Sequence, residues 1–350
     1  MANTVAAEKK SFDFKNFLLN NGIYIALLLM IVVVIILKPG FATFKTLTNI
    51  MGQSSTRLII ALGVAPTIIL LGTDLSVGRI VGLCAVISAS LLQSATAPDA
   101  FYPGLGPVFI LLPWLLVMVI GGLFGALNGF GVAFLKMHAF VVTLGTQLIA
   151  YGTASLYFDK PGRGATPIGS LDKGYTELGG GSITLISGGK YWGKLSIPFI
   201  FMIAAVVTVL IWILWNKTRL GKNMYAVGGN PEAAIVSGVS YNKTIMFFYT
   251  LAGVCYGFAA LLEAGRVGSA TNNMGLNYEL DAISACVVGG VSFAGGVGTV
   301  PGVILGVFIF QFLNYGLAFI GISPYVQNII KGVIVITAVA IDTRKYLKKK

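Results

Sequence analysis

The residue pattern closest to a chemical motif in this chain is Gly-x-x-x-x-Gly-Lys at 188–194, the spacing of a phosphate-binding loop. Leu195 stands where such a loop carries the serine or threonine that binds Mg²⁺, and no strand is predicted before it. The sequence also offers no pair of carboxylates and no nucleophile–base set with catalytic spacing. We therefore predict no catalytic residue and no ATP hydrolysis by this chain.

Metal and redox chemistry are not indicated either. Cys84, Cys255 and Cys286 lie far apart within apolar runs, without the short ligand spacing of zinc sites. Small apolar packing is the ordinary role of such cysteines. His138, the single histidine, lies beside Lys136 in a predicted loop without a cluster of partners. The sequence thus predicts no metal ligand.

Polar residues that interrupt apolar runs are the better candidates for function. Two glycine-bounded segments, GTDLSVG at 72–78 and GGVSFAGG at 289–296, break the apolar pattern in the two halves of the chain. Paired unwound segments of this kind point to a transport pathway. An ionisable group such as Asp74 is costly in a membrane and suggests function, although Thr73 or Asp74 could equally cap the next helix. The candidate pathway residues in these segments are Thr73, Asp74, Ser76 and Ser292.

Other polar side chains fall inside predicted apolar helices. Asn128, Thr146 and Gln147 could bind a polyol, or they could hydrogen-bond across helices. Arg57 could form a buried structural ion pair or contribute to a pathway. Both alternatives stay open for each of these residues.

A basic loop at 216–243 contains a capped helix. Asn230 is a strong N-cap, Pro231 suits the first helical position, and Glu232 complements the helix dipole. Gly238 is placed to end the helix. Such a short, rigid helix is suited to being gripped by a partner outside the bilayer.

A second polar stretch runs from 263 to 281. Glu263 and Arg266 are spaced to form an ion pair, and Glu279 and Asp281 could cap the next helix. The stretch is a candidate docking surface for an external partner. Its candidate docking residues are Arg266, Asn272, Asn273 and Glu279.

Composition and charge place these segments in a membrane protein. Apolar residues make up 56% of the chain and charged residues 10%, with a mean hydropathy of +0.86. The net charge is +12, and basic residues lie near both ends of the chain. Basic residues next to membrane spans mark the cytoplasmic side, so we predict that both termini are cytoplasmic and that nucleic acid is not a partner. An all-α polytopic fold in the lipid bilayer is predicted. Its ten spans lie near 22–37, 49–71, 78–94, 108–134, 139–157, 197–215, 244–262, 281–296, 300–320 and 325–342.

This topology divides the chain into a tail at 1–21, a transmembrane domain at 22–342 and a basic tail at 343–350. The first span has no small-residue cleavage site after it, so we expect it to be retained. The loop 216–243 falls inside and the long loop 158–196 falls outside. Glycines at four-residue spacing predict close helix packing within or between subunits. They are Gly121, Gly125 and Gly129, Gly253 and Gly257, and Gly298, Gly302 and Gly306.

The chain closely resembles the ribose-type ABC sugar importer permeases over nearly its whole length, especially the branch for galactose and methyl galactoside. The resemblance rests on GKNMYAVGGNPEAA at 221–234, LEAGRVGSA at 262–270, YELDAI at 278–283, VGGVSF at 288–293 and GTDLSVG at 72–78. One departure is the outer loop near 179–196, which looks longer than usual.

The resemblance implies a permease homodimer in the bacterial inner membrane that imports a monosaccharide by alternating access. It implies a separate ATP-binding subunit, holding ATP and Mg²⁺, on the cytoplasmic side, and a periplasmic or lipid-anchored sugar-binding protein outside. No cofactor is expected on this chain itself. The residues implied to couple to the ATPase are Gly229, Asn230, Pro231, Glu232, Ala233, Ala234, Ser237 and Gly238. A secondary transporter with Asp74 as ion carrier is the alternative.

Overall fold

The computed structural model of the protein describes residues 25, 28–160 and 164–347. The predicted tail 1–21, the start of the first predicted span and residues 348–350 of the basic tail lie outside the described residues. A one-turn 3₁₀ helix, Pro39–Phe41, follows the first helix. The elements in chain order are α1 Leu28–Leu37, α2 Phe44–Ile69, α3 Val77–Leu91, α4 Leu111–Ala133, α5 Ala139–Phe158, α6 Lys173–Gly180, β1 Ser182–Ser187, α7 Gly189–Trp192, β2 Lys194–Pro198, α8 Phe199–Lys217, α9 Arg219–Gly229, α10 Pro231–Val236, α11 Tyr241–Val267, α12 Tyr278–Val288, α13 Val300–Phe319 and α14 Pro324–Leu347.

The fold is mostly helical, and five of the described helices are long and apolar enough to cross a membrane: α4, α5, α8, α11 and α13. Two shorter apolar helices, α1 and α3, add to them. Because these helices expose many large apolar side chains, such as Leu123 and Leu148, their outer faces suit lipid.

The eighth predicted span, 281–296, is wrong in its bounds. The helix there, α12, has 11 residues and ends at Val288. Val291 N donates to the Cys286 carbonyl and Gly290 N to that of Val287, while Gly290 adopts φ +85°. This is a Schellman motif, which stops a helix wherever glycine can take the left-handed conformation. The helix is therefore too short to cross a bilayer alone.

The predicted outer loop 158–196 carries structure that an all-α fold class omits. Strands β1 and β2 form a two-stranded antiparallel hairpin, and helix α6 precedes it. Thr48 near the start of α2 accepts a hydrogen bond from Ser196 N, and Trp192 packs on Phe44. These contacts fix the hairpin to the N-terminal end of α2.

Helix α11 is the centre of the bundle and packs against α2, α3 and α4. Its seam with α4 is made of glycines, because a Cβ on Gly253 would overlap the Gly121 carbonyl and one on Gly257 would overlap that of Val117. The two backbones therefore approach as closely as small residues allow. The predicted glycine packing is confirmed here, and it lies within one chain.

We expect Gly253→Ala to destabilise the protein because its methyl group has no room between α4 and α11. Overpacking of this kind costs roughly 1–3 kcal/mol. Thermal unfolding in detergent should show a lowered Tm for the variant. The matched control is Gly145→Ala on α5, where an added Cβ has no neighbour within 4 Å among the described residues. An equal loss in both variants would contradict the assigned seam.

Candidate functional site

Helices α9 and α10 form a capped pair that joins α8 to α11. Thr218 caps α9, and Asn230 accepts a hydrogen bond at 3.0 Å from Ala233 N to cap α10. Gly238, at φ +81°, ends α10 in a Schellman motif. The helix predicted at 230–238 is confirmed, whereas α9 was missed.

One face of α10 is packed and the other is open. Ala234 is 4% exposed, whereas Ile235 is 54% and Val236 89% exposed. Glu232, Ala233 and Ser237 share the exposure. Two exposed aliphatic side chains on a rigid, capped turn make a small apolar knob, the kind of surface that marks a protein contact.

Helix α9 packs on the second glycine-bounded break and on the end of α2 that precedes the first. The Gly296 amide donates to the Ile69 carbonyl at 2.9 Å, which joins the second break to the end of α2 just before the first. Gly228 packs against the two atoms of this hydrogen bond, because a Cβ at Gly228 would overlap the Ile69 carbonyl and approach Gly296 N. The Tyr225 hydroxyl donates to the Gly298 carbonyl at 2.9 Å. Burial raises the pKa of Tyr225, so the hydroxyl remains a donor at neutral pH.

A strained residue directly before the first break borders a cavity. Leu71 adopts φ +65°, which is unusual for a residue with a side chain. It lines a cavity of about 330 Å³ together with Pro231 of α10 and Lys136 and His138 of the α4–α5 turn. Helix α10, the α4–α5 turn and the start of the first break therefore line the same cavity.

Asp74 is the end point of a buried hydrogen-bond chain. Ser76 donates to it through its amide and its hydroxyl, and Tyr256 donates at 3.0 Å. Asn128 donates to Ser76 at 2.9 Å, and Thr146 donates to Asn128 at 2.6 Å. Every bond points toward the carboxylate, so the chain joins α3, α4, α5 and α11 around it.

The remaining candidate pathway residues lie around this chain without joining it. The Thr73 carbonyl accepts from the hydroxyl of Thr143 at 3.2 Å. Ser292 is buried, and its hydroxyl oxygen accepts from Ala294 N within the second break. Gln147 lies half-buried on α5.

The N-terminal ends of α3 and α12 meet. A Cβ on Gly78 would overlap the Gly275 carbonyl and contact the Glu279 carboxylate. Glu279 is 9% exposed, and its carboxylate lies beside Gly78 at the start of α3. The expectation that Glu279 and Asp281 cap α12 is wrong: both lie in its first turn, and Asn277 is the N-cap residue.

The predicted Glu263–Arg266 ion pair is present, with 2.9 Å between Arg266 Nη2 and Glu263 Oε1. Glu263 also accepts from Thr56 and Tyr278, each at 2.8 Å. The Arg57 guanidinium lies 3.2 Å from the centre of the Tyr278 ring. Arg57 is therefore held by an aromatic face beside this ion pair.

Among the four candidate docking residues, only Asn273 is exposed. Asn272 donates to the Ser155 hydroxyl at 3.1 Å, and Arg266 and Glu279 have the partners described above. The exposed apolar side chains nearby are Leu276 and Leu280.

A polar seam between α2 and α13 was missed at the level of sequence. Asn49 donates to the Tyr315 hydroxyl at 2.9 Å, and Gln311 donates to Gln53 at 2.7 Å. Beside it Lys331 of α14 pairs with Asp281 of α12 at 2.9 Å. The four-residue spacing of Asn49, Gln53 and Arg57 along α2 is a signal that could have found this face.

Comparison with known proteins identifies the family to which the chain belongs. The profile of the branched-chain amino acid transport system permease component family matches residues 46–339. The galactose/methyl galactoside import permease protein MglC of Escherichia coli K12 is 50% identical over 345 residues, covering 99% of both chains. The same permease of Haemophilus influenzae is 50% identical over 346 residues, again covering 99% of both. The ribose import permease protein RbsC of Escherichia coli K12 is 34% identical, covering 98% of this chain and 99% of that protein. No solved structure matches the chain significantly.

We expect Gly228→Ala to loosen the contact between the two breaks, because its methyl group would displace the Ile69 carbonyl. The protein should lose roughly 1–3 kcal/mol of stability. Hydrogen exchange of the 289–299 amides should accelerate. Gly229→Ala is the matched control, since an added Cβ there has no neighbour within 4 Å in the described parts of the chain. Unchanged exchange in Gly228→Ala would contradict the contact.

Proposed function

Because the chain belongs to the family of branched-chain amino acid transport system permease components, we propose that it is the membrane subunit of an ATP-driven monosaccharide importer. Galactose and methyl galactoside are the proposed cargo, carried over from relatives that are 50% identical over their full length. The protein is proposed to lie in the bacterial inner membrane. ATP and Mg²⁺ are bound by a separate ATPase, and no cofactor is assigned to this chain.

The observation that carries this proposal is the position of the exposed α10 knob, one helix away from the joined breaks. An ATP-binding subunit on the cytoplasmic side grips α10, and its closure moves α9. The residues assigned to this contact are the capping and exposed residues of the α10 segment: Gly229, Asn230, Pro231, Glu232, Ala233, Ala234, Ser237 and Gly238. Because Gly228 lies on the Gly296–Ile69 hydrogen bond, movement of α9 reaches both breaks at once.

The proposed sugar pathway runs along the polar faces of α2, α12, α13 and α14 toward the breaks. Asp281 and Lys331 are 13% and 20% exposed in the single chain, and charged groups do not face lipid. At the inner end, Thr73, Asp74, Ser76, Asn128, Thr146, Gln147 and Ser292 border the pathway, and the bonds to Asp74 hold the first break in place. Alternating access then opens each side in turn.

A second permease subunit, proposed to be another copy of this chain, completes the pathway. The half-exposed polar residues of α2 and α13 support this arrangement, since protein or water must cover them. Chemical cross-linking through a single cysteine introduced at the half-exposed Gln53 would test the homodimer, since one such cysteine per chain can be joined only between two copies.

On the outer side, a sugar-binding protein, periplasmic or lipid-anchored, is proposed to dock. The surface around Asn273, Leu276 and Leu280 is exposed near the docking residues Arg266, Asn272 and Glu279. We propose that these three residues hold the surface in shape, since Arg266 pairs with Glu263, Asn272 donates to Ser155 of α5, and Glu279 packs against the start of α3.

The proposed topology has ten spans with both termini in the cytoplasm. The tail 1–21 and the basic tail 343–350 would then flank a transmembrane domain at 22–342. The loop 216–243, with α9 and α10, lies inside, and the hairpin of the loop 158–196 lies outside. Contacts of these two regions with opposite ends of α2 support this.

We expect Val236→Asp to uncouple the importer. A charge on the exposed knob weakens an apolar contact with the ATPase, so sugar uptake should fall at least tenfold while membrane insertion is unchanged. Uptake in proteoliposomes and co-purification of the ATPase measure this. Ser240→Asp is the control, because it adds the same charge four residues later on another exposed position. Normal uptake by Val236→Asp would count against the coupling role.

Single introduced cysteines should report the topology. The native cysteines Cys84, Cys255 and Cys286 are buried, so background labelling should be low. Val236→Cys should react with an impermeant maleimide only from the inside, and Ile183→Cys of the hairpin only from the outside. The reverse pattern would overturn the importer orientation.

A further inference from the structure

The strongest unassigned feature of the molecule is a small polar cavity between α2, α12 and α13. Four polar residues line one part of it, and Ala282, Ala285, Val307 and Phe310 line the rest. The polar residues are Arg57, Asp281, Gln311 and Asn314. An apolar wall with a few convergent polar groups is typical of a small-molecule site.

Two of these residues each have a buried polar atom that no described group satisfies. Arg57 Nη1 is a hydrogen-bond donor, and Asn314 Oδ1 is an acceptor; both are buried without a partner in the described part of the chain. Each buried polar group without a hydrogen-bond partner lowers the stability of the fold by roughly 1–3 kcal/mol. Two such groups at one cavity therefore indicate that a molecule binds there and hydrogen-bonds to both.

The neighbouring polar groups already have partners. Asp281 Oδ1 accepts from Lys331, Gln311 donates to Gln53, and the Arg57 guanidinium stacks on Tyr278. Their geometry is therefore held by α14, α2 and α12. The buried atoms at this cavity without a partner in the described residues are one donor and one acceptor.

We propose that this cavity is a subsite for one hydroxyl group of the transported sugar. A hydroxyl accepts from Arg57 Nη1 through its oxygen and donates its own proton to Asn314 Oδ1, which satisfies both atoms. A neutral polyol fits this pair, whereas an anion would satisfy Arg57 but repel Asn314 Oδ1 and Asp281. The inference rests on the proposed importer function and deepens it.

In this conformation the cavity is too small for a whole sugar. Its volume is about 10 Å³, room for about one water-sized oxygen and not for a sugar ring. The glycine seam of α12 and α13 lies toward the second break, where a Cβ on Gly302 would overlap the Gly289 carbonyl and one on Gly306 that of Ala285. The subsite accepts a ring when α12 and α13 separate beyond this seam.

The test compares galactose with its monodeoxy analogues in the reconstituted complex of permease, ATPase and sugar-binding protein. Each sugar is supplied at a concentration that saturates the binding protein, so that only the permease discriminates. For the wild-type complex, removal of one particular hydroxyl should slow uptake about ten- to a hundredfold, the effect of a hydrogen bond to a charged group. In Asn314→Leu, galactose should lose part of its rate advantage over that analogue, because the bond from Arg57 Nη1 remains, while the analogue itself is unaffected.

The control is Asn49→Leu, which removes an amide from the same α2–α13 seam but does not line the cavity. It should leave the ratio of galactose to analogue unchanged. Asn314→Ala replaces the leucine variant if that variant does not insert. An equal slowing of all sugars in Asn314→Leu, or no change, would show that the cavity holds structural water only and would overturn the subsite. Absence of galactose uptake in the wild-type complex would instead refute the proposed function.

Discussion

A backbone hydrogen bond from the Gly296 amide to the Ile69 carbonyl joins the second break to the end of α2, next to the first break. Unwound backbone in a bilayer has no water to satisfy it, so it exists only where protein supplies the partners. Ile69 supplies the partner of Gly296 in the second break, and Gly228 of α9 covers this bond. Replacing either break with continuous helix would remove the contact and, with it, the route from α10 to the interior.

The polar groups inside the bundle follow one rule, although they serve different regions. Asp74 accepts from Ser76 at the start of α3 and from Tyr256 of α11, and Glu263 accepts from Arg266 and from two hydroxyls. Both carboxylates are buried and surrounded by donors, as a low-dielectric interior requires. Among the buried polar atoms that have no partner in the described residues, Arg57 Nη1 and Asn314 Oδ1 belong to residues that line one cavity.

Local features of the fold were predictable from sequence, whereas long-range contacts were not. The caps of α10 depend on Asn230, Pro231 and Gly238, which act within eight residues of one another. The bond between Gln53 and Gln311 joins residues 258 positions apart, and no local pattern indicates it. The predicted end of α12 was wrong for a different reason. Gly289 and Gly290 are a local signal for the end of a helix, but they lie within an apolar run that was assigned to one span. The hairpin was missed because β1 is exposed along its whole length and shows no alternating pattern.

The left-handed backbone of Leu71 has a consequence for the energetics of the transport cycle. A residue with a Cβ pays roughly 1–2 kcal/mol for that conformation, whereas glycine does not. Leu71 also packs against Gly295 of the other break, so its conformation and the junction are mutually dependent. A rearrangement that returned Leu71 to right-handed angles would release this free energy, so the backbone of this one residue would favour separation of the two breaks.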